Sequence, residues 1–171
     1  MPKSTLIFTA GLALGVALPV VLPLSQEQKI QTVRDFPDLG KGLMETPGCL
    51  GVQGFTINGG KTQVISAWFK NRKAMEAWYY SKMHQGAMQK FFPAMKKEGK
   101  PFAAFKDENA ALLIVASVTP SDKPIGQGSN LAVSQIAIEG YTPIPGGLAL
   151  GGTFSPASLE VPGLVRIPAG L

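Results

Sequence analysis

His84 is the chain's one histidine and Cys49 its one cysteine, so any step needing a base near neutral pH or a thiol has a single candidate. A histidine changes charge between about pH 5 and 8, which suits it to hold or move a proton. The other side chains able to shape a site are aromatic: Trp68, Trp78 and Tyr79 can wall an apolar pocket, and Met88 can line it with a pliant thioether. Each also has an ordinary reading, because aromatics fill cores and interfaces and a histidine at a helix end commonly satisfies a backbone group. No carboxylate is placed to form a pair with His84. Glu76 stands eight residues earlier, about two turns along a helix, beyond side-chain reach. A lone cysteine closes no intramolecular disulfide, and one histidine with one cysteine does not make a dedicated zinc or iron-sulfur site, so neither cofactor nor metal is expected.

The elements that must position these residues follow from spacing. Asn71 is placed to cap a helix starting at Arg72, with Met75, Trp78 and Tyr79 at helical intervals. Ser81 is placed to cap a second helical piece from Lys82 to about Phe92, with His84, Met88, Phe91 and Met95 in one stripe until Pro93 intervenes, so the helix should split at Ser81. A hairpin should precede it. Cys49 to Ile57 alternates in strand fashion, Asn58-Gly59-Gly60 accept positive φ, and Lys61 to Phe69 returns. The alternation assigns Val52, Val64 and Trp68 to one face and Phe55, Ile57, Ile65 and Phe69 to the other. Pro37 fits the first turn of a short helix ending near Glu45, stopped by Pro47-Gly48. Ala110 to Val118 is nearly continuous apolar sequence and reads as a central strand, Pro120 to Ser129 as turn chemistry, and Leu131 to Ile138 as a further strand.

Both chain ends carry their own signals. A positive start at Lys3 and an uncharged run from Leu6 to Leu24 read as a secretory signal or N-terminal membrane anchor over residues 1–25. An exported protein is implied, periplasmic or extracellular, and attached to the membrane where the leader stays. Residues 26–140 form one domain, and 141–171 a tail. From Gly140 onward there are seven glycines and five prolines against one acid and one base, a composition that interrupts ladders and favours extended packing against the domain or a partner. Charge is also localised. Residues 61–106 hold ten Lys or Arg against Glu76 and Glu98, ordinarily a solvated face; with no zinc-finger spacing, aromatic ribonucleoprotein motif or GXXG clamp, no nucleic-acid partner is expected.

PGCLGVQGFTINGGKTQVISAWFKNRKAMEAWYYSKMHQGAMQKFF, residues 47–92, resembles the antibiotic biosynthesis monooxygenase family. The resemblance rests on Pro47-Gly48-Cys49-Leu50-Gly51 at the helix-to-strand corner, a hairpin ending in Trp68, and the Ser81-x-x-His84 turn, and it extends with gaps from Asp35 to about Val118. It implies an α+β, ferredoxin-like antiparallel sheet with helices on one face, dimerising sheet to sheet into an α/β barrel. It also implies cofactor-independent oxygenation of a small aromatic phenol or quinol, with His84 as base and Trp68, Trp78, Tyr79 and Met88 at the substrate. The family begins with a strand in the middle of its sheet; here Lys29 to Val33 or Leu131 to Ile138 must serve, and the second is favoured. A haem-degrading branch of the same fold needs a histidine ten residues after its tryptophan, where Trp78 is followed by Met88. The alternative from a different class is a non-catalytic dimeric binding or scaffolding domain at the membrane surface, because the catalytic inventory is thin. Both hairpin faces are apolar. Helices can cover one, and a second copy is expected to cover the other in a homodimer that survives loss of the tail, the rival cover being the tail itself with its Leu148, Leu150, Phe154, Leu159 and Val161.

Overall fold

The computed structural model describes residues 29–94, 102–126 and 128–170; the leader at 1–25 and Met95 lie outside them. Chain direction is set early by capping. Asp38, rather than Pro37, opens helix α1 (Leu39–Met44), its Oδ1 accepting the Lys41 N–H at 2.9 Å. Gly48 then turns the chain at φ 86°, a conformation that disfavours any residue with a Cβ. Strands β1 (Cys49–Ile57) and β2 (Thr62–Phe69) pair as the expected hairpin, and the turn places Asn58, Gly59 and Gly60 at φ 54°, 64° and 84°. Helices α2 (Arg72–Tyr79) and α3 (Lys82–Phe91) divide at Ser81. Asn71 accepts the Ala74 N–H at 2.9 Å and Ser81 the His84 N–H at 3.2 Å, so each piece has its own N-cap.

Strands β3 (Leu112–Pro124) and β4 (Ala132–Tyr141) complete an antiparallel sheet in the order β1-β2-β3-β4. The place beside the hairpin's inner strand therefore belongs to Leu112–Pro124. The Leu131 to Ile138 segment supplies a strand as expected, but at the outer position, and the Lys29 to Val33 segment contributes a single parallel bridge from Gln31 to Leu131. The turn expected at Pro120 to Ser129 begins later, because β3 continues to Pro124. Register shifts at Thr119/Pro120 and Pro120/Pro124 remove the need for a ladder N–H where proline has none.

The hairpin register also corrects the face assignment. Phe55 stands opposite Val64 and Val52 opposite Ala67, and directly opposed residues share a face. Phe55 and Ile57 thus belong with Val64 and Trp68, and Val52 with Ile65, Ala67 and Phe69. Alternation within each strand was readable; the relation between the strands depends on the turn and on the irregularity between Cys49 and Gly51.

The helix-facing side holds two buried clusters. Leu43, Ala67, Phe69, Ala74, Met75 and Leu112 form one, with Val52, Trp78 and Tyr79 packed against it. Ala87, Phe91, Phe92, Leu131 and Val133 form the other, joined by Met88, and the Phe36 and Phe91 rings meet at 4.2 Å between centroids. Part of the opposite face is covered by the chain itself. Phe154 places its ring 6.4 Å from Phe55 and 6.5 Å from Trp68, while its carbonyl accepts from Gln53 Nε2 at 3.2 Å. Gly51 leaves the room for this approach: a Cβ there would lie 3.2 Å from Pro156. The tail further contains a two-stranded parallel pair, β5 (Leu148–Leu150) with β6 (Val165–Ile167). Among the described residues, no helix is long and apolar enough to cross a membrane.

Candidate functional site

Trp78, Tyr79 and His84 come together at the break between α2 and α3. The His84 ring lies 5.5 Å from Trp78 and 5.0 Å from Tyr79 between centroids. Its Nδ1 is 2.8 Å from the Tyr79 carbonyl oxygen, which also accepts from Gln85 Nε2 at 2.7 Å. A carbonyl oxygen only accepts, so Nδ1 carries the proton and Nε2 keeps its lone pair. Burial holds the imidazole below its ordinary value of 6.5, partly offset by the bond to Tyr79, so the ring is neutral at pH 7. α1 packs closely on this corner. A Cβ on Gly42 would stand 2.2 Å from Met83 Sδ and 3.1 Å from Trp78.

The remaining candidates lie elsewhere. Met88 packs against the second cluster, the one that holds Phe91 and Val133. Trp68 points away from the helices, into the face covered by Phe154. Between Trp68 and the Trp78-Tyr79-His84 group stands the sheet, with Phe69 and Ala67 turned to the helix side. Three aromatic walls therefore do not enclose one space with the histidine. Cys49 sits at the start of β1 against the first cluster, and burial pushes its thiol up, away from the reactive thiolate. Among the described residues, no three His, Cys, Asp or Glu side chains are grouped to hold a metal ion.

Spacing did not single out the hydroxyl residues on the sheet face turned away from the helices. Thr62 and Thr119 share a hydroxyl hydrogen bond of 2.8 Å across β2 and β3. Ser66, 1% exposed, and Trp68, 7% exposed, sit on the same face, and among the described residues neither Ser66 Oγ nor Trp68 Nε1 has a hydrogen-bond partner. The signal was present in TQVISAWF, where Thr62, Val64, Ser66 and Trp68 alternate onto one face. A hollow of about 240 Å³ also lies within the tail, lined by Ala149, Gly151, Thr153, Arg166 and Ile167 among others; it includes none of the sequence candidates. Compared with protein-family models, curated proteins and solved structures, the chain matches none.

Proposed function

We propose that this chain is a non-catalytic binding or scaffolding domain, exported and held at a membrane surface by residues 1–25. One observation carries the reading: Trp68 and His84 lie on opposite faces of one sheet, and the chain's own tail covers the face that holds Trp68. Oxygenation of a small aromatic molecule needs a water-excluding pocket in which a base reaches the substrate, and the candidate residues do not line one together. Oxygen uptake by the purified protein with quinols or anthrones tests this, and no rate above a boiled control is expected. Uptake that disappears in His84→Gln contradicts it.

The sheet with helices on one face is compatible with a ferredoxin-like fold, which we read as one whose central place is filled by Leu112–Pro124. A sheet-to-sheet homodimer of the kind the resemblance implies would use the face under Phe154 and Pro156, so its formation requires the tail to move. The monooxygenase-like reading keeps one specific support. The hydrogen bond to Tyr79 leaves His84 Nε2 as a neutral acceptor beside two aromatic rings, the form a general base requires.

A further inference from the structure

The face beneath the tail combines apolar walls with donors that have nothing to bond. Trp68 Nε1 can only donate, and it is buried without a partner among the described residues; Ser66 Oγ, two residues away on the same face, is in the same condition. Leaving buried polar groups unpaired is costly, and native structures usually provide a partner. Opposite Ser66 stands Gln53, whose amide donates to the Phe154 carbonyl. Three donors thus occupy adjoining positions on β1 and β2, framed by Phe55, Val64 and the Phe154 ring. What the tail inserts there is an aromatic ring joined to an acceptor oxygen, and its one carbonyl satisfies one of the three.

We propose that this face is a binding site for a small aromatic molecule bearing a carbonyl oxygen, and that Phe154 is its intramolecular competitor. The inference rests on reading the chain as a binding domain. A ligand of this class places its ring where Phe154 now lies and its oxygen within reach of Trp68 Nε1 and Ser66 Oγ, bonds the tail leaves unmade. Release of the tail is feasible because the contact is small: Phe154 remains 53% exposed, and Gly146, Gly147 and Gly151 adopt φ of 100°, 106° and 73° in the segment leading to it, where glycine is unstrained.

Full-length protein in lipid nanodiscs, labelled with ¹⁵N-tryptophan, tests this directly because the two indole N–H signals report opposite faces of the sheet. The probe is 1-acetonaphthone, with 1-ethylnaphthalene as the isostere lacking oxygen. The Trp68 signal should move downfield saturably with the ketone while the Trp78 signal stays in place, and the ketone should bind roughly tenfold more tightly than the hydrocarbon. Removing the competitor with Phe154→Ala should tighten ketone binding, again by about tenfold. A Trp68 signal that stays in place up to the ketone's solubility limit, equal affinity for both probes, or weaker binding in Phe154→Ala overturns the proposal. Oxygen uptake is read in a separate assay, so turnover bears on the proposed function without being confused with these outcomes.

Discussion

Replacing Ser66 with alanine should stabilise the protein, which is the opposite of what most buried substitutions do. Ser66 is 1% exposed and its hydroxyl has no partner, so the folded state bears a desolvation penalty of roughly 1–3 kcal/mol with no bond in return. Against that gain stands the space of one oxygen atom, a gap smaller than a methyl group whose cost is about 0.5 kcal/mol. The balance is a stabilisation of about 1 kcal/mol, or an upward shift in melting temperature of about 3 °C for a domain of this size. Thr62 supplies the contrast on the same strand and face. Its hydroxyl is bonded to Thr119 at 2.8 Å and accepts from Asn58 Nδ2 at 3.2 Å, so Thr62→Val strands both partners and should destabilise by about 1 kcal/mol. Urea titrations of the leader-free protein, residues 26–171, followed by circular dichroism give both values. A Ser66→Ala variant less stable than the parent would mean that the hydroxyl is satisfied in solution and that the tail does not seal this face.

Other outcomes follow from the local chemistry of the fold. Gly48→Ala forces a Cβ to within 2.7 Å of Ala74 Cβ at φ 86°, and a loss of about 2 kcal/mol in urea titration is expected from the strained backbone and the clash together. Asn71→Ala and Ser81→Ala each remove an N-cap and should each cost about 1 kcal/mol by the same measurement. For His84 the folded-state pKa is depressed by burial, so the unfolded chain binds the proton more readily. The corresponding stability is fully present above the ordinary value of 6.5 and is lost as pH falls through the folded value. Urea midpoints measured from neutral pH downward should therefore fall in the parent and fall less steeply in His84→Gln.

Local signals carried far in this sequence. Asn71, Ser81 and the Asn58-Gly59-Gly60 turn specify caps and a hairpin through their own side chains and backbone preferences, and each lies where spacing predicted. What was not legible depends on relations between distant segments. The side on which Phe55 meets Val64 is set by hairpin register, which alternation within single strands does not determine. The apolar run at Ala110 to Val118 read correctly as a central strand, but the outer place of Leu131 to Ile138, expected at the centre, is set by pairing between distant segments. The candidate site divided for the same reason. Trp68 and Trp78 are close in sequence, yet strand alternation turns Trp68 from the helices while α2 packs Trp78 against the opposite side. Tail composition suggested extended packing, but not that Phe154 would settle between Phe55 and Trp68, with Gly51 making room for Pro156.

The central claim is that the tail closes the second face of the sheet, and light scattering on the leader-free protein with and without residues 141–171 tests it most directly. With the tail, Trp68 is 7% exposed and Val64 6%, while Phe55 at 40% and Ile57 at 43% remain open at the rim; the centre of that face is closed to another copy, and a monomer is expected. Removal of the tail takes the Phe154 ring from Phe55 and Trp68 and enlarges the apolar patch on that face, which favours association, and the truncated protein should form dimers or larger species as its concentration rises. A stable dimer with the tail present, unchanged by its removal, would contradict the account.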